Sequence, residues 1–218
     1  MMTIWDWEYA FSILPALIEG LGLTLVATVL GSIIAMLLGL VFAVLLRGPR
    51  PVAMIVRGIV EFVRSTPLLV QIFFLYFGLP AFGIVLSGLT VGVIALGVHY
   101  ACYTSEVYRA GIDAVPRGQW EAATALSLPR SRVWTGVVLP QAVPRVIPAL
   151  GNYVISMFKE VPLLVAIGVL DVVGRAEEVG NTYFRYVEPY TLAGLFFLLL
   201  SYPASLLVRR LERRVGTI

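Results

Sequence analysis

Charged side chains are scarce in this chain of 218 residues: Asp, Glu, Lys and Arg together make up 13%, whereas hydrophobic residues make up 59%. The mean hydropathy is accordingly high, at +0.91. A water-soluble domain of this size would have to expose much of its apolar surface, which soluble monomers avoid. The composition therefore excludes an ordinary soluble domain and indicates a protein whose solvent is the lipid bilayer.

Cysteine and lysine each occur only once. The single Cys102 excludes an internal disulfide and any multi-cysteine metal site. The single Lys159 follows Phe158 and precedes Glu160, so the sequence contains no Gly-Lys-Ser/Thr and hence no P-loop for ATP. We therefore expect no cofactor in this chain.

Basic residues are absent from the first 19 positions, which therefore lack the positively charged start of a cleaved signal peptide. We expect the first membrane span to be retained. The isoelectric point near 9.2 does not indicate a nucleic-acid partner, because the arginines lie in loops between apolar runs and do not cluster in a polar domain.

Five apolar stretches are long enough to cross about 30 Å of hydrocarbon, which takes about 20 helical residues. They lie at 20–46, 59–82, 90–108, 147–170 and 190–208. The predicted fold class is thus an all-α membrane protein with five transmembrane helices. We expect a single transmembrane domain over 20–212, with a long polar loop at 109–145 between spans 3 and 4.

Arginine placement predicts the orientation of these spans. If the N-terminus is outside, the cytoplasmic loops and tail hold 12 of the 16 basic residues: Arg47, Arg50, Arg57, Arg109, Arg117, Arg130, Arg132, Arg145, Arg209, Arg210, Arg213 and Arg214. The external segments keep only Arg175 and Arg185. The positive-inside rule therefore predicts an outside N-terminus, a cytoplasmic loop at 109–145 and a cytoplasmic tail at 213–218.

Aromatic residues crowd the segment before the first span. Trp5, Trp7, Tyr9 and Phe11 precede it, as expected of a segment that lies at the membrane interface with its rings among the headgroups. We expect 1–19 to be an extracytoplasmic interfacial segment.

The polar loop contains Glu121-Ala122-Ala123, then Ser127, then Val137-Val138-Leu139-Pro140. This order and spacing resemble the EAA loop of bacterial ABC importer permeases: EAA, three residues, Gly, nine residues, then Ile-x-Leu-Pro. Ser127 in place of Gly is a departure from that motif. The resemblance implies a type I ABC importer transmembrane domain whose loop folds as a short helix pair and docks into a groove on a separate ATPase. The implied coupling residues are Gln119, Glu121, Ala122, Ala123, Leu126 and Ser127.

Three further phrases, RSTPLLVQIFFLYFGLP, YTSEVYRAGIDAVPRGQWEAATAL and LPQAVPRVIPALGNYVISMFKE, are similar to the polar amino-acid permease branch of that family. The likeness implies a bacterial inner-membrane subunit of a binding-protein-dependent importer. Its implied partners are an ATPase dimer that binds ATP and magnesium, a second permease that is identical or different, and an extracytoplasmic solute-binding protein.

One segment departs from that branch. After the lysine, the branch has an acidic or amide residue, hydroxyl residues and Leu, whereas this chain has Glu160-Val161-Pro162-Leu163. The missing hydroxyls make the segment resemble permeases for ectoine and hydroxyectoine, which is the alternative solute class.

Charge followed by proline occurs in two predicted spans, at Arg64 to Pro67 and at Lys159 to Pro162. Charge inside a membrane is costly and commonly functional, and proline commonly marks the broken helices of a transport pathway. We expect Arg64 and Glu160 to flank a zwitterionic solute. The candidate pathway residues are Arg64, Thr66, Pro67, Gln71, Lys159, Glu160 and Pro162. The alternative is structural: Glu61 neutralises Arg64, and Lys159 pairs with a carboxylate.

Other patterns have competing readings. Ser156 and Lys159 match the S-x-x-K spacing of a membrane Ser-Lys hydrolase, without its companion motifs. An energy-independent channel would share the spans but would not need a docking loop.

We interpret Glu106 with Arg109 as a helix-end ion pair, and His99 with Cys102 as packed residues. The small-residue stripe Gly31, Ala35, Gly39 and Ala43 predicts close helix packing, either within the chain or between subunits.

Overall fold

The computed structural model describes residues 5–215, and within them the regular structure is helical. The helices are α1 Trp7–Leu45, α2 Arg50–Arg64, α3 Leu68–Phe73, α4 Gly88–Asp113, α5 Arg117–Ala125, α6 Arg130–Arg132, α7 Leu139–Glu160, α8 Val172–Tyr183 and α9 Val187–Val215. A π-helical turn, Phe74–Gly78, and a 3-10 turn, Leu79–Phe82, continue α3. A second π-helical segment, Val133–Val138, joins α6 to α7, and a 3-10 segment, Val161–Ile167, follows α7.

Four helical runs are long and apolar enough to cross a membrane: α1, α4, the run Arg130–Ile167 that contains α7, and α9. The fifth span is a broken one, in which α2 and the α3 run meet at 103°. The all-helical fold with five spans is confirmed, with one correction. The span expected at 59–82 is two helix segments and not one straight helix.

The break follows from Pro67. Proline has no backbone N–H and disfavours helical geometry at the residue before it. Pro67 itself is extended, with φ of −62° and ψ of 137°, and it precedes the first residue of α3. The carbonyl of Val63 thereby loses its helical donor and is left open to another partner.

Helix ends differ from the sequence prediction because polar caps extend the helices beyond their apolar cores. Asp6 accepts hydrogen bonds from the N–H groups of Glu8 and Tyr9 and begins α1, which continues unbroken to Leu45. Residues 7–19 of the expected interfacial segment are thus part of the same continuous helix as the first span. Residues 1–4 of that segment and 216–218 of the expected tail lie outside the described residues. The span expected at 147–170 belongs to the longer helical run Arg130–Ile167.

The small-residue stripe of α1 packs inside the chain. A Cβ on Gly39 would lie 2.0 Å from Thr104 Oγ1 on α4, and one on Gly31 would lie 2.9 Å from Met157 Sδ on α7. Thr104 Oγ1 also donates to the carbonyl of Ala35 over 2.8 Å. The intrachain reading of the stripe is therefore the correct one, and the core of the molecule is the α1–α4 contact, closed by α7.

Ion pairs fasten the end of the bundle where α1 begins. Arg185 pairs with Asp6 over 3.2 Å and with Glu188, which is 1% exposed. The hydrogen bonds from Arg185 to Glu188 and Asp6 raise the pKa of Arg185. The pKa of Asp6 is lowered, mainly because its carboxylate accepts a hydrogen bond from the Tyr9 N–H. Arg175 likewise pairs with Glu19 and Glu178, each over 2.8 Å. The two arginines at this end are therefore each neutralised by two carboxylates.

Candidate functional site

The EAA-like loop, residues 109–145, is built around α5. Pro116 precedes the helix, and Ala123 is its buried residue. Trp120 of α5 packs against a small core of Val115, Val138 and Ala142. Trp120 of α5 meets Trp134 of the following π-helical segment edge to face, with ring centroids 5.6 Å apart. The loop is therefore a packed helical unit at the end of the bundle, as the resemblance implied.

The sequence departure at Ser127 falls where α5 ends. The Ser127 N–H donates to the carbonyl of Thr124 over 2.9 Å, and the Leu128 N–H donates to that of Ala123 over 3.1 Å. This pair of bonds is the Schellman motif, which requires a left-handed residue after the helix. Ser127 supplies it with φ of 51°. Glycine adopts that conformation without strain, so the geometry explains why the family motif has Gly there.

Most of the predicted coupling residues are exposed on α5 or directly after it. Gln119, Glu121, Ala122, Leu126 and Ser127 are exposed, and Leu126 is 72% exposed. Ala123 is the exception, because it is buried. An acidic side chain beside small and apolar ones is a surface suited to a partner protein with a basic groove.

A second group of predicted residues meets at the break between α2 and α3. The Gln71 side-chain amide lies 2.8 Å from the carbonyl of Val63 and 2.8 Å from Thr66 Oγ1. It thereby supplies the donor that Pro67 cannot give. His99 Nδ1 donates to Gln71 Oε1 over 3.2 Å and ties the break to α4.

Beside this break lies an open cavity of about 520 Å³, which we call the polar pocket. It brings together Arg64, Thr66 and Pro67 from the break, His99 and Tyr103 from α4, and Glu160 from the end of α7. The Arg64 guanidinium lies over the Tyr103 ring, 5.2 Å from its centroid. Glu160 Oε2 is buried and accepts no hydrogen bond of normal geometry from the described residues, although the Tyr100 hydroxyl lies near the Glu160 carboxylate. The pocket thus offers one positive and one negative group, which suits a zwitterion.

The structural alternatives find no support in the described part of the chain. Among residues 5–215, Arg64 does not form an ion pair with Glu61, and Lys159 lies within salt-bridge distance of no carboxylate. Ser156 and Lys159 are both exposed, and no hydrogen bond joins them in this part of the chain. The Glu106–Arg109 pair does form, over 2.9 Å. Within the described residues, no group of three or more His, Cys, Asp or Glu side chains is placed to hold a metal ion.

Residues 35–217 match the family model described as the binding-protein-dependent transport system inner membrane component. The chain belongs to this family. The permease is 49% identical, over 203 residues, to the probable amino-acid ABC transporter permease protein y4tG of Sinorhizobium fredii, covering 92% of this chain and 87% of that protein. It is 34% identical to the arginine transport system permease protein ArtQ of Bacillus subtilis, covering 96% and 97% of the two chains. The glutamine transport system permease protein GlnP of Escherichia coli K12 is 33% identical, with the same two coverages.

Solved structures agree with this assignment. The permease superposes on the crystal structure of an amino acid ABC transporter with histidines. The TM-score is 0.91 and the sequence identity is 36%, and the match covers 98% of this chain and 100% of that one. It also resembles the inward-facing MetNI methionine ABC transporter, with a TM-score of 0.79 at 21% identity, which supports the fold alone. The permease thus has the type I ABC importer fold that the sequence predicted.

The predicted pathway residues of the permease do not all reach the polar pocket. Arg64, Thr66, Pro67 and Glu160 line it, whereas Gln71, Lys159 and Pro162 are not among its lining residues. The Gln71 side chain instead donates to the Val63 carbonyl at the helix break, and Lys159 is exposed outside the pocket.

The lining residues that sequence reasoning missed include His99 and Tyr103. They lie four residues apart on α4 and hence share a face. The interpretation of His99 as a packed residue was incomplete, since its ring also bonds Gln71 and borders the cavity. Cys102 is packed as expected, with no exposed surface.

Proposed function

We propose that this permease is the transmembrane subunit of an ABC importer for amino acids, and that the polar pocket lies on the solute's route. The observation that carries the proposal is the meeting of Arg64 and Glu160 in one cavity at a broken helix. Broken helices that line a cavity are a recurring way to build a solute site at membrane depth. An amino acid has a carboxylate for Arg64 and an ammonium group for Glu160. The relatives named above are permeases for amino acids, which favours this solute class over ectoine.

The partners of the permease follow from the same proposal. The exposed surface of α5 docks on an ATPase dimer, which binds ATP and magnesium, and a solute-binding protein delivers the amino acid from outside. A second permease, identical or different, completes the translocation path. The N-terminus lies outside the bacterial inner membrane and the EAA-like loop lies in the cytoplasm, as the arginine distribution predicts.

The coupling part of the proposal is tested by Glu121→Arg. Removing one partner of a charged pair from a buried interface costs about 2 to 5 kcal/mol, much of it from the group left unpaired. The variant should insert and assemble, yet lose most ATP-driven uptake of a radiolabelled mixture of the common amino acids. Arg117→Gln, at the start of the same helix, serves as a charge-changing control. Wild-type uptake by the Glu121→Arg variant would contradict the docking proposal.

A further inference from the structure

A polar groove runs between α2 and α4 of the permease. On α2, Arg57, Glu61 and Arg64 follow the spacing of i, i+4 and i+7, which places them on one helix face. His99, Tyr103 and Glu106 repeat that spacing on α4. The two polar faces line the polar pocket and a second cavity of about 210 Å³, which we call the inner vestibule. Its charged lining residues are Arg57, Glu61, Arg64, Glu106 and Arg109.

The inner vestibule adjoins the polar pocket through Arg64, which lines both cavities. Arg57 lies seven residues before Arg64 on α2, or about 10 Å along the helix axis at 1.5 Å per residue. Arg109 lies one turn before α4 ends at Asp113 and leads into the EAA-like loop. The vestibule is therefore on the side of the polar pocket that faces the EAA-like loop.

The charges of the inner vestibule are not balanced internally. Glu106 and Arg109 neutralise each other over 2.9 Å. Within residues 5–215, the side chains of Arg57 and Glu61 form no ion pair or hydrogen bond, and Arg64 contacts the ring of Tyr103. Two guanidinium groups and one carboxylate are thus left to face the cavity.

We propose that the inner vestibule is a second amino-acid site, which the solute occupies after the polar pocket and before it leaves on the side of the EAA-like loop. The inference rests on the proposed function. Arg57 and Arg64 hold the solute's carboxylate, because guanidinium groups bind carboxylates through paired hydrogen bonds. Glu61 accepts its ammonium group. Pockets for drug-sized ligands span roughly 300 to 1,000 Å³, so the smaller vestibule suits a solute of amino-acid size.

Thiol labelling tests this site directly in the complete transporter. Leu46 lines the vestibule without carrying charge, so Leu46→Cys leaves the proposed contacts in place. The native Cys102 has no exposed surface and should not react. In inside-out vesicles, a mixture of the common amino acids should slow the reaction of Leu46→Cys with a membrane-impermeant thiol reagent about fivefold or more. Val52→Cys, an exposed position on α2 outside the vestibule, should show no protection.

The Arg57→Gln variant tests the site in two ways, by labelling and by uptake. In the Leu46→Cys background it should remove the protection. As a single substitution, Arg57→Gln should lower the maximal uptake rate about tenfold, which is the loss expected for one charge-assisted hydrogen bond. The KM for external solute and the yield of the complex should not change. Arg50→Gln removes a charge from the same helix outside the vestibule and should transport normally.

Two sets of results would overturn the inference. One is equal protection, or no protection, at Leu46→Cys and Val52→Cys. The other is uptake by Arg57→Gln that equals uptake by Arg50→Gln, or that falls only in proportion to complex yield. A wild-type complex that takes up no amino acid would instead contradict the proposed function, so the two failures are distinguishable.

Discussion

Glu160 is the residue on which the solute proposal depends most. Its buried Oε2 accepts no hydrogen bond of normal geometry from the described residues, and it shares the polar pocket with Arg64. Glu160→Gln keeps the shape of the side chain and removes its charge. Since a hydrogen bond to a charged group contributes about 1.5 to 3 kcal/mol, uptake should fall about tenfold or more. The yield of assembled complex should change little, whereas parallel losses of uptake and assembly would favour a structural role.

Asp171 is another buried carboxylate, in the turn before α8. Its Oδ1 accepts from the Gly174 N–H over 2.8 Å, while its Oδ2 is buried without a partner in the described part of the chain. Burial raises the pKa of this carboxyl from 3.8 to about 6. The folded state therefore binds the proton more tightly than the unfolded state, so stability increases as the pH falls towards and below 6. At neutral pH the charged form costs on the order of 3 kcal/mol.

Asp171→Asn should remove this pH dependence. Asparagine retains the cap on α8 and carries no charge, so the variant should be more stable than wild type at neutral pH. The advantage should shrink as the pH falls below about 6, where wild-type Asp171 is protonated. Thermal denaturation of the detergent-solubilised complex on both sides of pH 6 measures the effect. If the difference in thermal midpoint between the two proteins were the same at every pH, Asp171 would not titrate in this window.

Sequence alone identified residues that are chemically out of place. Arg64 and Glu160 stand out because charge is rare in apolar spans, and both reach the polar pocket. His99 and Tyr103 gave no such signal, since an imidazole and a phenol on a helix face are as suited to packing as to lining a cavity. Their role depends on which helix lies opposite them, and that is a tertiary property.

The membrane spans were predictable in number and type, but the shape of the second span was not. Pro67 predicts a break, because it removes one donor and restricts its neighbour. The 103° turn depends in addition on Gln71 and His99, which fix the broken ends through side-chain hydrogen bonds. Sequence spacing does not specify such contacts between separate elements.

The contact between α1 and α4 sets the next prediction. Gly39→Ala would place a Cβ 2.0 Å from Thr104 Oγ1 and 2.9 Å from the carbonyl oxygen of Ala101. The second of these atoms belongs to the backbone, so the helices must separate, and overpacking of this kind costs about 1 to 3 kcal/mol. The thermal midpoint of the solubilised complex should fall. Gly22→Ala is the matched control on the same helix, because a Cβ there has no neighbour within 4 Å. Equal midpoints for both variants would contradict this packing account.

At the scale of the whole molecule, charge is distributed unequally between the two ends of the bundle. Arg175 and Arg185, at the end where α1 begins, are each paired with two carboxylates. At the other end, the exposed arginines around α5 and α6 outnumber their acidic neighbours. With two arginines and four carboxylates in these pairs, the end where α1 begins carries a net negative charge. The orientation prediction still depends on the arginine count, because the positive-inside rule counts basic residues and not net charge.

The orientation is tested by reporter fusions at Ser87 and Ser127. Ser87 caps the start of α4, and Ser127 follows the helix of the EAA-like loop beyond the other end of α4. Since α4 spans the membrane once, the two positions must lie on opposite sides. The positive-inside rule assigns Ser127 to the cytoplasm. A phosphatase that is active only after export should therefore work when fused at Ser87 and fail at Ser127, and a cytoplasmic fluorescent reporter should show the reverse. The same pattern at both positions would reject α4 as a span, and the exchanged pattern would reject the outside N-terminus while leaving the fold intact.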